Sequence, residues 1–233
     1  DSFHTRASYI WCGVANGSVV NAVDGTSIGK TQVFGRNASN SPSTLNINGN
    51  VTANEVHAFS SGVVNLASGT LSAGVLSLSG SGAATQTGGH YALTNLYLYS
   101  GATLSYGTGD SVSESITVNN GSTLTLNADL SITKDLWLVG ASALNQAGHH
   151  YSVGNLTLNN NAALSYNTGD MITGSISLSG TSSFTLNRNI TMGGELRVAS
   201  GSSLVRTTAT IDADSFVADN VVLNLIAGDS FHT

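Results

Sequence analysis

Residues 122–141 read STLTLNADLSITKDLWLVGA, and their spacing decides the fold. Leu124 and Leu126 form one x-L-x-L pair, Leu130 and Ile132 a second, Leu136 and Leu138 a third. Alternation at period two marks a strand with one apolar face. Three such pairs, six positions apart, predict three short strands in one turn of chain and a roughly triangular cross-section. The same frame fits 182–201, through Phe184 and Leu186, Ile190 and Met192, Leu196 and Val198. It fits 43–62 through Leu45 and Ile47, Val51 and Ala53, Val56 and Ala58.

Outward from that stretch the phrase recurs about every 19 to 20 residues along 43–220. A repeat of that length with short alternating apolar runs predicts an all-β, parallel β-solenoid, or β-helix, one line of sequence per coil. A lone coil buries too little to offset the entropy of ordering its backbone, so each needs a neighbour above and below. Corners fit as well: Gly62, Gly82, Gly101, Gly121 and Gly201 close successive coils, with Asn161 and Asn220 in the same place. Gly and Asn tolerate the left-handed backbone of a sharp corner. Twelve or so coils are expected, a rod roughly 60 Å long at about 4.8 Å per coil. Leu126 is expected to stack under or over an apolar residue of the adjacent coil, such as Ala143 or Leu144.

A longer period overlies the short one. Residues 88–116 return sixty positions later as 148–176, with Tyr91, Asn95, Leu104, Tyr106 and Asp110 falling on Tyr151, Asn155, Leu164, Tyr166 and Asp170. Three coils therefore make one unit, and a weaker third copy ends at Gly228-Asp229. A third period connects the ends: Asp1-Ser2-Phe3-His4-Thr5 is repeated as Asp229-Ser230-Phe231-His232-Thr233. The simplest reading is a super-repeat of about 228 residues in a tandem array, residues 221–228 starting a coil that a segment like 1–17 completes. An artificial duplication is the alternative.

Two segments are distinguished. Residues 1–42 are read as irregular solenoid coils with loop insertions, and 43–233 as regular coils continuous with them. Trp11, Cys12, Lys30, Phe34 and Arg36 concentrate bulk and charge in the first segment, making it the first candidate for a specific contact surface. Cys12 is the only cysteine, so no disulfide forms within the chain, and a buried thiol is expected. Pro42 is the only proline and precedes the regular coils.

Composition narrows the function. Charged residues are 9 % against 40 % hydrophobic ones, which disfavours disorder. The net charge is −6 without any Lys/Arg cluster, which argues against nucleic acid and anionic membranes as partners. No apolar run approaches the roughly 20 residues of a membrane-spanning helix.

Candidate chemistry is sparse. Asp110, Asp170 and Asp229 recur in a Gly-Asp turn, but three coils put them about 14 Å apart, beyond the separations glycosidases use. The G-G-x-G-x-D phrase of calcium solenoids is absent, and an Asp bonding the backbone of its own turn is the better reading. His4, His57, His90, His149, His150 and His232 show no third ligand near a shared ion, and His149 and His150 are expected on opposite faces of one strand. No serine lies in a nucleophile elbow. Asn16, Asn37, Asn50, Asn120, Asn155 and Asn189 open N-x-S/T triplets, read as coincidence in a chain so rich in Asn and Ser. No catalytic, cofactor-binding or metal site is therefore assigned.

Coils of the form x-L-x-L-x5-L-x5-L-x-L ending in S-G or N-G resemble those of secreted bacterial β-helical adhesins, the autotransporter passengers and the filamentous-haemagglutinin group. The resemblance covers about residues 43–228. It implies an extracellular or surface-attached rod without cofactor, self-associating end to end or continuing into identical repeats, with a host or cell-surface ligand. A structural or adhesive segment of a repetitive filament is the leading expectation, not an enzyme. The alternatives are a polysaccharide-degrading β-helix enzyme, which needs clustered Asp, Arg or Lys, and an ice-binding solenoid. The latter needs a flat T-x-T array, of which Thr123 and Thr125 are one pair.

Overall fold

Strands stacked in parallel, one coil on the next, run the length of the computed structural model, which describes residues 13–14, 18–34 and 42–232. Every strand pairing among the described residues is parallel, and those residues contain no helix. The fold is a parallel β-solenoid of about nine turns, or about 43 Å at one strand spacing per turn. That is fewer than the twelve or so expected; residues 1–12, 15–17, 35–41 and 233 lie outside the described residues.

Residues 122–141 contribute three strands, Thr123–Leu126, Leu130–Ser131 and Asp135–Val139. Leu124, Leu126, Leu136 and Leu138 are fully enclosed, and Leu130 and Ile132 nearly so. The other coils place the same positions in one continuous apolar column. Elsewhere the second and third strands merge into one bent strand, as in Ser111–Asn119 and Ile190–Ala199, with the register shifting at the bend. In Val63–Ser79 all three sides run together.

Register holds at one coil length. Leu126 stacks on an apolar residue of the adjacent coil, as expected, but that residue is the buried Tyr106 of the preceding coil rather than Ala143 or Leu144; Leu144 lies opposite Leu124, and Ala143 opposite Thr123. The place above Leu126 falls to Gln146, whose side chain turns to a buried carboxylate.

At one corner the left-handed residue recurs once per coil: Ser60, Gly80, Ser100, Asn120, Gly140 and Asn160 all have φ between 51° and 69°. Glycine is thus only one of three residue types filling that column. Gly62, two positions on from Ser60, is required for space instead: a Cβ there would strike the carbonyl of Val33.

The same ladder continues towards the N-terminus. Val19–Val23 pairs with Thr44–Asn48, and Ser27–Phe34 with Val51–Phe59, at an offset of 25 residues. This coil is longer than those that follow, and its extra residues fall between Phe34 and Thr44.

Candidate functional site

The Gly-Asp turns stand between the first and second strands of their coils. In the first copy, strand Thr103–Tyr106 ends, the chain turns at 107–110, and Ser111 starts the next strand. Gly109 adopts φ 93°, and a side chain there would meet the ring of His90 on the coil before. The equivalent Gly169, at φ 98°, lies against His150. Glycine is dictated twice over, by the backbone and by the ring above it.

Asp110 follows with its carboxylate wholly buried. Its Oδ2 accepts the amide of Gly107 at 2.7 Å, closing the turn. Its Oδ1 accepts the amide of Tyr91 at 3.0 Å and the Gln86 side-chain amide at 2.6 Å, both from the coil before. Asp170 repeats this: Oδ2 accepts from Asn167 at 2.7 Å, Oδ1 from Tyr151 at 3.1 Å, and both oxygens from Gln146 at 2.8 Å. Beside them, the Tyr91 hydroxyl donates to the carbonyl of Ser105, and the Tyr151 hydroxyl to that of Ser165 at 3.2 Å. Each carboxylate fastens one coil to the next through backbone amides that the strand ladder leaves free at the corner.

The third copy has a different brace. Asp229 accepts from Ile226 at 2.9 Å and Ile211 at 3.0 Å, keeping the same turn. In place of the glutamine stands Arg206, whose Nη1 and Nη2 donate to the two carboxylate oxygens at 2.6 and 2.7 Å. Arg206 also donates to the carbonyls of Ala209 and Asn224. Such a two-pronged contact is the strong form of charge-assisted bonding.

The electrostatics diverge accordingly. Burial lifts the Asp110 carboxyl above its ordinary value, although the donors from Gly107, Tyr91 and Gln86 pull it back. Asp229 is drawn down to about 2, first by the Arg206 hydrogen bonds and then by the backbone donors, against the opposing effect of burial. Tyr91 and Tyr151 are pushed up, first by burial and then by the neighbouring aspartates.

These aspartates have the partners of a structural latch. Their oxygens are occupied by donors within the protein, and the three copies do not converge. The sequence reading of an Asp bonding its own turn holds, but it is incomplete: half of each contact belongs to the preceding coil. It missed Gln86, Gln146 and Arg206, whose signal was their shared place ahead of Asp110, Asp170 and Asp229 in the three-coil repeat.

The histidines divide between corner and face. His90 and His150 hold Nδ1 3.8 Å from Asp110 and Asp170, too far for a hydrogen bond. Contrary to the expectation of opposite faces of one strand, His149 and His150 both precede strand Tyr151–Val153. His149 closes a turn onto Gln146, and the His150 amide donates to Asp129 at 2.9 Å. His57 contacts Glu55 at 2.8 Å on an outer face, and His232 contacts Asp212 at 3.0 Å. Among the described residues, no three of His, Cys, Asp and Glu are placed to share a metal ion.

The asparagines of the N-x-S/T triplets serve as rungs. Asn50 accepts from the Thr70 amide and Asn189 from the Thr210 amide, while Asn155 donates to Asp135 and accepts from the Ser175 amide. Asn120 is one of the left-handed corner residues. Thr123 lies between Thr103 and Ala143, and Thr125 between Ser105 and Asn145, so the T-x-T pair is not continued into an array. Lys30 is 2.6 Å from Glu55, and Phe34 pairs with Phe59 through the backbone. His4, Trp11, Cys12, Asn16, Arg36 and Asn37 lie outside the described residues.

Comparison with protein-family models, curated proteins and solved structures returned no match. No helix among the described residues is long and apolar enough to cross a membrane.

Proposed function

We propose that this chain is a structural and adhesive segment of a long repetitive rod at the cell surface, of the kind built by secreted bacterial β-helical adhesins. The observation that carries this reading is the seat of Asp229-Ser230-Phe231-His232. Asp229 repeats the latch of Asp110 and Asp170, Ser230–Phe231 pairs with Asp212 and Ala213, and the Phe231 ring lies 5.0 Å from that of Phe216. The first four residues of the pentapeptide are thus, at its second occurrence, a working part of a coil.

The coil that begins at Val221 offers an apolar surface for stacking. Leu225 takes the place that Tyr106 and Tyr166 fill as buried side chains, yet it is 56 % exposed, and Val222 beside it is 92 % exposed. An apolar surface of this kind at the end of a solenoid is covered by a following coil. In the filament the next repeat completes that coil, and with about nine turns per repeat the rod advances roughly 45 Å at about 4.8 Å per coil.

Electron microscopy of two super-repeats joined without a linker tests the reading. It predicts one straight rod of twice the single length. Two separate rods moving about a hinge would refute it.

A further inference from the structure

In five consecutive coils the third strand presents outward residues whose aromatic members alternate with small polar ones from coil to coil. Along one row, His57 pairs with Ser77, Ser77 with Tyr97, Tyr97 with Thr117, and Thr117 with Trp137. The rings are widened by their neighbours two residues along: the planes of His57 and Phe59 lie within 6°, and those of Tyr97 and Tyr99 within 8°. Trp137 is 48 % exposed. Three aromatic rungs therefore stand on a flat parallel sheet, two coils or about 9.6 Å apart.

The surroundings are nearly uncharged. Between Glu55 and Glu195, the outward positions of this strand carry one formal charge, Asp135, which accepts from Asn155 at 2.9 Å. The ammonium groups nearest the stripe are engaged, Lys30 with Glu55 at 2.6 Å and Lys134 with Glu114 at 2.9 Å. Thr117 lies between the rungs of Tyr97 and Trp137, while Ser77, between those of His57 and Tyr97, is buried.

We propose that this face binds a neutral β-1,4-linked polysaccharide lying along the solenoid axis. In such a chain each sugar is turned over relative to the last, so the same apolar C–H face recurs every second residue, at a rise close to two coils. Aromatic rungs at that interval receive one sugar face each, and the Thr117 hydroxyl between two rungs and Asp135 beside Trp137 meet the sugar hydroxyls. An anionic glycan finds no free cation here, and an isolated carboxylate repels it. The proposal gives the adhesive part of the preceding reading a ligand. It concerns a single chain, so it stands or falls separately from the two-repeat rod.

The test is retention of the chain on microcrystalline cellulose and on chitin, with starch as the α-linked control, and titration with cellohexaose followed by Trp fluorescence. Retention on the β-1,4-linked matrices is expected, with affinity falling at least tenfold in Trp137→Ala and again in the double variant with Tyr97→Ala. Circular dichroism of the variants should keep the strand spectrum, because both side chains point outward. Failure to bind either β-1,4-linked matrix, equal retention on starch, or binding undiminished in the double variant would overturn the proposal. So would self-association of the chain that the double variant abolishes, which would make the stripe a contact between copies.

Discussion

The corners at Asp110 and Asp229 have the same turn, the same pair of backbone donors and the same buried carboxylate, yet one is braced by a neutral amide and the other by a guanidinium. Gln86 offers one donor to a carboxyl already short of solvent, and burial dominates. Arg206 offers two donors and a positive charge, and attraction dominates. One change of residue in a repeat thus converts a desolvated latch into an ion pair while the turn and its two backbone donors are kept. Both partners of that ion pair are buried.

That contrast can be broken most severely by Arg206→Ala. It strips a buried carboxylate of its partner and should cost about 3–5 kcal/mol in denaturant unfolding. Gln86→Ala removes a neutral donor from an equivalent site and should cost about 1–3 kcal/mol. Equal losses would mean that the charge at Arg206 adds nothing. Arg206→Gln recreates the other two corners, so its cost should shrink to about 1 kcal/mol.

Acid separates the corners by sign. Asp229 is lowered on folding, so its contribution is present above the ordinary value of 3.8 and is lost as pH falls through about 2. Asp110 is raised on folding, so its contribution is full below 3.8 and is lost as pH rises through its folded value. The deficit of Asp229→Asn should therefore narrow on acidification, while that of Asp110→Asn widens. Unfolding curves at a series of pH values would show both; parallel trends would contradict the comparison. The smallest effect belongs to His90→Ala. Its half-exposed ring makes no hydrogen bond to Asp110, and stability should change by no more than about 0.5 kcal/mol.

The fold was legible because it is written in pairs such as Leu124 and Leu126, whose period of two and recurrence along the chain leave little but stacked coils. Register was less so. Matching apolar residues alone offers Ala143 or Leu144 to Leu126, whereas equal coil lengths give it Tyr106 on one side and the polar Gln146 on the other. At the candidate site, the Gly-Asp turns and the three-coil period were visible. What sequence could not supply was the axial direction of their bonds, since a carboxylate that closes its own turn and one that also grips the coil before have the same local phrase. The aromatic stripe was hidden for a related reason. His57, Tyr97 and Trp137 are distant in sequence and become neighbours on one face only once the coils are in register, which is why bulk in residues 1–42 drew attention first.

The central claim is that each buried aspartate is a latch joining two particular coils. Amide hydrogen exchange on Asp170→Ala tests it most directly. The account predicts that the amides of Tyr151 and Asn167 lose most of their protection, while those of Tyr91 and Ile211, at the two intact corners, keep theirs. Unchanged protection at Tyr151 and Asn167 would contradict it.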